Sequence, residues 1–371
     1  LKLKNKFFAI TLMFIIIFAA ILLAMQYTAL LWTVTNTSSL EHGVFTSVLP
    51  VAFTVLFMAA VVWTRVGQNG SGAVFVKVMY VWLGVMFIWF CVCTALMLLQ
   101  VAANAFGYRT PENLGLWAGI LSFMLAALSL MTAARAPSLT KIDIENPYSN
   151  GNEIKIVQVS DSHLGYGVDP QRFAKLARRI NDLEPDIIVF TGDLIEEPNL
   201  KPEQYIEILK SLKAPRGKYA VFGNHEYYHG TLKNTDLWVK AGITPVENAS
   251  VQAGSINIIG VNDIKMTNIT KEQFKSIISR STKPNEFNLL LSHTPLYFKE
   301  AADLGVNLML CGHTHNGQIW PFKYAAKLSF KYVNGLYKYK NSKIYVSSGA
   351  FFWGPPMRLF TKNEIVLITL H

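Results

Sequence analysis

Cysteine is nearly absent from this chain: 371 residues contain three, Cys91, Cys93 and Cys311. Cys91 and Cys93 sit two apart in an apolar run and Cys311 ends another. The sequence therefore offers neither a disulfide framework nor a cysteine-built zinc site, and all three read as packed thiols. Charge is equally thin at one end. Residues 1–135 hold nine charged side chains: Lys2, Lys4, Lys6, Glu41, Arg65, Lys77, Arg109, Glu112 and Arg135. The remainder holds 27 basic and 22 acidic residues, too even a balance for a nucleic-acid-binding surface. A G-x-S-x-G stretch is missing as well, which excludes the serine elbow of α/β-hydrolases.

Long apolar runs stand where the charges are missing, at about Phe7–Trp32, Val44–Val66, Ala73–Val101 and Leu114–Ala134. Each meets the roughly 20-residue length needed to cross a bilayer core. None has a polar face, which rules out helices packed on a soluble core. A cleaved leader is the other reading of the first run, but the run is too long for one and three more follow. Their middles lack charge, which argues against an ion pathway. Basic residues place the amino terminus in the cytoplasm: Lys2, Lys4, Lys6, Arg65, Lys77, Arg135 and Lys141 fall on that side, and Arg109 on the other. Four crossings return the chain to its starting side, so the rest is expected in the cytoplasm, with the lipid bilayer as its first partner. Gly67–Gly72 reads as a turn between spans.

Residues 1–136 are thus expected to form a four-helix transmembrane region, 137–152 a linker punctuated by Pro, Asn and Gly, and 153–371 an α/β domain. Short apolar runs at Ile154–Val159, Ile187–Thr191, Tyr219–Phe222, Ile256–Val261, Leu289–Ser292, Leu308–Cys311, Lys343–Ser347 and Glu364–Leu370 read as strands covered on both faces. Gln171–Leu183 and Gln204–Leu212 read as helices between them. So many strands predict two sheets.

Ligand sites in such domains lie just past the strand ends. Five polar groups fall there: Asp161-Ser162-His163, Gly192-Asp193, Gly223-Asn224-His225-Glu226, Ser292-His293 and Gly312-His313-Thr314-His315. Five of the eight histidines belong to them. This ordered set, D-x-H, G-D, G-N-H-E, S-H and G-H-T-H, resembles the calcineurin-like metallophosphoesterase superfamily from about Ile154 to His371. The stretch Gly312–Gln318 further resembles a bacterial branch associated with membranes and lipid-like phosphoesters, with Asn316 where that branch often has Gly. The resemblance implies a four-layer αββα sandwich with two divalent metals at the strand ends. Oxygen and imidazole ligands suit Mn, Fe or Zn.

By that resemblance Asp161, His163 and His315 hold one metal, Asn224, His293 and His313 hold the other, and Asp193 bridges them. Two metals lower the pKa of a bridging water and clamp an in-line displacement at phosphorus. His225 is similar to the family's general acid, with a structural histidine as the alternative. Glu226 either orients His225 or belongs to the turn. His229, His42 and His371 are given no role. Arg358 is a candidate for a substrate phosphate, and ordinary packing is its other reading. Phe351-Phe352-Trp353 could wall a lipid tail or fill core.

Protein phosphatases of the superfamily extend G-D with a nearby arginine, whereas Asp193 is followed by Leu194-Ile195-Glu196-Glu197. The expected activity is hydrolysis of a phosphodiester or pyrophosphate in a lipid-associated substrate. A tethered nucleotide or cyclic-nucleotide phosphodiesterase is the same-class alternative, and a non-catalytic membrane sensor or scaffold the different-class one.

Overall fold

The computed structural model describes residues 2–40, 43–66, 72–149, 151–165, 167–196 and 203–371. Most of the turn expected at 67–72, together with His42 and Glu197, lies outside them. The chain forms two compact units, Leu1–Met131 with Pro355–Met357, and Thr132–Gly354 with Arg358–His371.

The first unit is helical: α1 (Lys2–Thr35), α2 (Val44–Val66), α3 (Ala73–Ala105) and α4 (Leu114–Ala134). All four are long and apolar enough to cross a membrane, which makes this a multi-pass membrane protein. Polar side chains join the helices where lipid would leave them unsatisfied. Trp32 Nε1 donates to Gln100 Oε1 at 3.0 Å, Gln100 Nε2 to Asn36 Oδ1 at 2.7 Å, and Gln26 Nε2 to Thr54 Oγ1 at 2.8 Å.

The second unit runs β1 (Ser138–Ile144), β2 (Ile154–Val159), α5 (Pro170–Asn181), β3 (Ile187–Thr191), α6 (Glu203–Lys210), β4 (Lys218–Val221), α7 (Asn224–His229), α8 (Thr231–Lys240), β5 (Thr244–Pro245), β6 (Ala249–Ala253) and β7 (Ile256–Val261). It continues with α9 (Lys271–Ser281), β8 (Phe287–Ser292), α10 (Phe298–Asp303), β9 (Leu308–Cys311), a 3₁₀ turn (His315–Gly317), α11 (Phe322–Ser329), β10 (Gly335–Tyr339), β11 (Ser342–Val346) and β12 (Glu364–Leu370). The strands form two six-stranded mixed sheets, ordered β1-β12-β2-β3-β4-β5 and β10-β11-β9-β8-β7-β6.

Strand alternation builds the layers. Ile154, Ile156, Ile187 and Val189 face Ile256, Ile258, Leu289 and Leu308 across the gap between the sheets. Their neighbours Val157, Val159, Ile188 and Phe190 turn outward to Phe173, Leu176 and Leu209 of α5 and α6. On the other sheet Ile259, Leu290 and Met309 pack on Phe274 and Ile278 of α9 and on Phe298 of α10. Two-sided burial explains why these strands read as unbroken apolar runs. Helix starts follow local chemistry: Asp169 caps α5 by accepting from Arg172 N at 2.8 Å, with Pro170 at the first helical position.

The observed strands lie within two residues of those expected at the eight apolar runs. Inside the stretch expected as a linker, Ser138–Ile144 is a strand that pairs in parallel with β12 across its whole length. Its backbone bonds come from residues more than 200 positions later, a pairing that no local pattern announces.

Candidate metal centre

Parallel strands β2, β3, β4, β8 and β9 each end at one of the five polar groups, so the sandwich collects them along a single edge. The turns there are tight enough to force unusual backbone. Asp161, His163, Asp193, His313 and His315 all have φ between 43° and 71°, a left-handed region that branched-backbone sterics disfavour for non-glycine residues. Strain of this kind is held in place by the surrounding fold and concentrates at functional sites. Glycine supplies the clearance: a Cβ on Gly312 would lie 1.9 Å from Ser160 Oγ and 2.1 Å from Asp161 Oδ2.

The structure brings together all seven residues expected as metal ligands. Asp161, His163 and His315 present donor atoms within 4.8 Å of one another, and so do Asp193, His293 and His313. His163 Nε2 is 3.1 Å from His315 Nε2, and His315 Nε2 is 3.4 Å from Asp161 Oδ1. On the other side Asn224 Oδ1 lies 3.0 Å from His313 Nδ1 and 3.2 Å from His293 Nε2. Asp193 Oδ2 stands between the groups, 3.1 Å from His293 Nε2 and 3.9 Å from His163 Nε2.

These donors fit divalent ions. With bonds of about 2.0–2.2 Å, tetrahedral or octahedral ligands lie about 2.8–3.6 Å from one another, the spacing of every pair above except His163 and Asp193, which at 3.9 Å stand slightly farther apart. His293 Nδ1 donates to Thr191 O at 2.8 Å, which leaves Nε2 as the nitrogen turned inward. Without an ion, and against burial, Asp193 holds this imidazole well above its ordinary value, and a bound ion would take the place of that proton. Metal binding needs neutral imidazoles. Burial and the neighbouring His293 push His313 down to about 3, and burial and the nearby His163 hold His315 well below its ordinary value. Burial opposes ionisation of Asp193, but His293 and His225 outweigh it and keep the carboxylate charged.

His225 is buried at the edge of this cluster, with Nε2 4.0 Å from Asp193 Oδ2. Burial disfavours its charged form, yet Asp193 and Glu196 push it up to about 9. The rings of Tyr228 and Trp353 lie 5.4 and 6.0 Å from it, and both are largely exposed, 61% and 52%.

Four residues gain definite places that the motifs did not assign. Glu196 Oε2 is 2.6 Å from His163 Nδ1 and 3.0 Å from His225 Nδ1, so one carboxylate aligns both rings. Glu226 accepts the backbone amides of Gly223, Asp193 and Leu194 at 2.8, 2.9 and 2.7 Å, which ties the two loops together. Asp263, just past β7, is buried beside the site, and burial raises its carboxyl above the usual range. Lys265 is exposed, with Nζ 4.1 Å over the Phe330 ring, whose centroid is 5.2 Å from that of His313.

Arg358 is fully buried, and its fork meets protein atoms. It donates to His315 O at 3.2 Å and Ser348 O at 2.6 Å, contacts Phe351 O, and lies 3.2 Å from His315 Nδ1. That is a packed position behind His315, the ordinary-packing side of its two readings. Phe351 and Phe352 fill core between helices and sheet, and only Trp353 of that trio faces out. Cys311 is a buried thiol whose protonated form burial favours.

A family model described as calcineurin-like phosphoesterase matches residues 154–317. The chain is 34% identical over 260 residues to an uncharacterized metallophosphoesterase of Campylobacter jejuni, covering 68% of each. It is 35% identical over 224 residues to one from Helicobacter pylori, covering 59% of this chain and 60% of that relative. A transmembrane protein with metallophosphoesterase domain from Bos taurus is 31% identical over 271 residues, 68% of this chain and 61% of the relative. These matches take in roughly two thirds or less of each relative's length.

Proposed function

For a chain that belongs to the calcineurin-like phosphoesterase family and is a metal-dependent phosphoesterase, we propose hydrolysis of a phosphodiester or pyrophosphate in a lipid-associated substrate at the cytoplasmic membrane face. One observation carries the chemical part: seven donors gathered at one sheet edge in adjoining groups, with Asp193 Oδ2 between them, 3.1 Å from His293 Nε2 and 3.9 Å from His163 Nε2. Asp161, His163 and His315 would hold one divalent ion, Asn224, His293 and His313 the other, and Asp193 both. Such a pair supplies a nucleophile from water and neutralises charge on the phosphoryl oxygens.

The protein's own groups do the rest. His225, protonated at neutral pH by its two carboxylate neighbours, donates to the leaving oxygen. Glu196 fixes that ring's direction while holding His163 by its outer nitrogen. Tyr228 and Trp353 form the exposed aromatic walls through which the ester enters. The four apolar helices, each long enough to cross a membrane, support a lipid-associated substrate.

Purified protein with Mn²⁺ is expected to hydrolyse bis-p-nitrophenyl phosphate. Activity that survives Asp193→Ala or a chelator refutes the metal reading. A panel of lipid-linked and soluble nucleotide phosphoesters separates the proposed substrate class from a tethered nucleotide phosphodiesterase. A reporter fused after His371 that reads as outside the cell overturns the cytoplasmic placement.

A further inference from the structure

Residues 304–363 contain no Asp or Glu and eight Lys or Arg, in a chain whose total net charge is +10. This stretch carries metal ligands His313 and His315, and α11 begins seven residues after the second. None of α11's side chains is buried. Leu328 is 90% exposed and Phe322 and Tyr324 are each 54% exposed, while Trp320 and Phe360 stack edge to face beside the helix at 6.1 Å. So short a helix cannot be sustained by propensity alone. Its apolar side chains face water, as a patch awaiting a partner does.

Charge identifies that partner. Lys323, Lys327 and Lys331 alternate with the apolar residues, and Lys323 and Lys327 lie 5.3 and 5.7 Å over the Tyr324 ring. Aromatic and aliphatic groups interleaved with lysine make up a segment that lies in a membrane interface, its stems in the headgroup layer and its ammoniums on lipid phosphates. A second copy would bring the same uncompensated positive face against itself. The four candidate spans tether the chain to a bilayer, and bilayer leaflets that carry anionic lipid attract clustered lysines.

We propose that α11, with Trp320 and Phe360 at its base, is a lip that docks into an anionic leaflet. Phe322, Tyr324 and Leu328 enter the headgroup layer, and Lys323, Lys327 and Lys331 pair with lipid phosphates. The lip is coupled to the site. Gln318, between His315 and α11, exchanges two 2.9 Å hydrogen bonds with the backbone of Trp353, whose ring stands beside His225. Docking therefore brings the aromatic entrance to the headgroups. Only the link to substrate rests on the lipid-phosphoester reading.

The test uses the full chain with Cys91 and Cys93 replaced by Ser, reconstituted into vesicles with or without phosphatidylglycerol. A spin label is placed at Leu328→Cys, or at Lys283→Cys as control, since Lys283 precedes β8 at the end of the sheet away from His293. In anionic vesicles the Leu328 label should be accessible to oxygen and shielded from a water-soluble nickel complex, and the Lys283 label the reverse. In neutral vesicles the Leu328 label should lose most of its shielding. A water-exposed Leu328 label in anionic vesicles overturns the proposal, and so does spin–spin broadening from a second chain. Changing Lys323, Lys327 and Lys331 together to Gln should leave bis-p-nitrophenyl phosphate hydrolysis unchanged. It should slow hydrolysis of a vesicle-embedded phosphoester by at least about tenfold, each lysine contributing roughly fivefold to surface attraction. A docked Leu328 label with no lipid phosphoester hydrolysed by the unaltered chain sinks the substrate reading and leaves docking supported.

Discussion

Replacing Glu196 by glutamine removes one negative charge from between two histidines while keeping the side chain's shape. In the native site its Oε2 lies 2.6 Å from His163 Nδ1 and 3.0 Å from His225 Nδ1. His225 is raised from 6.5 to about 9, against burial, by Asp193, Glu196 and Glu226. That is a difference of about 3 kcal/mol at 1.36 kcal/mol per unit. Divalent ions bound at Asp193 would spend much of its pull, which leaves Glu196 the largest remaining share. Glu196→Gln should therefore lower the His225 pKa by at least about one unit. Because a general acid works only while protonated, activity falls as pH rises through that pKa. The basic limb of the kcat profile, measured on bis-p-nitrophenyl phosphate at saturating Mn²⁺, should move down by that amount. His163 also loses its charged support, and metal affinity should fall about 10-fold, toward the lower end of the range for such outer partners. Calorimetric titration of the apo protein with Mn²⁺ reads this separately. A superimposable pH profile together with unchanged affinity would refute the assignment of Glu196. The same pair sets a stability window in apo protein. The raised His225 contributes fully below about 6.5 and loses its contribution as pH rises through about 9. Glu196, lowered from 4.5 to about 2, contributes fully above 4.5 and loses its contribution as pH falls through about 2. The melting-temperature gap between native chain and Glu196→Gln should be widest between about pH 4.5 and 6.5.

Other perturbations probe the frame. Gly312→Ala puts a methyl 1.9 Å from Ser160 Oγ, so it should cost about 1–3 kcal/mol and lower metal content measured by elemental analysis. Native metal content would show that the turn gives way. Phe173→Ala, on the fully buried face of α5, should cost about 3–5 kcal/mol in thermal unfolding while activity per folded molecule holds. A loss below about 1 kcal/mol would deny that this core sustains the domain. Lys265→Gln should raise KM for anionic diesters several-fold with kcat nearly unchanged, since Nζ lies over Phe330 beside His313. A fall in kcat alone would contradict a ground-state binding role.

Much of this molecule was legible because two signals are local. A buried strand must be apolar on both faces, so eight of the twelve strands among the described residues announced themselves within short windows. A ligand must follow a strand end to reach the edge of a sheet, so the histidines and carboxylates could be picked out in order. The edge strands β1, β6 and β10 carry mixed polar and apolar patterns and owe their pairing to distant partners. Glu196 and Arg358 were equally obscure. Each acts through a contact with a residue 33 or 43 positions away, and nothing in the neighbouring sequence encodes that distance.

Composition and order by themselves determined that four apolar helices precede an α/β domain and that five polar groups follow its strand ends, since burial and turn chemistry act over a few residues. Which seven of those side chains to expect as ligands came from the family resemblance. Tertiary structure alone decided what stands behind those side chains. It set Glu196 between two histidines, buried Arg358 behind a third, tied two loops through Glu226, and left the basic, aromatic α11 uncovered. Those outcomes depend on how strands far apart in the chain come to lie side by side, and only the packed sandwich brings them there.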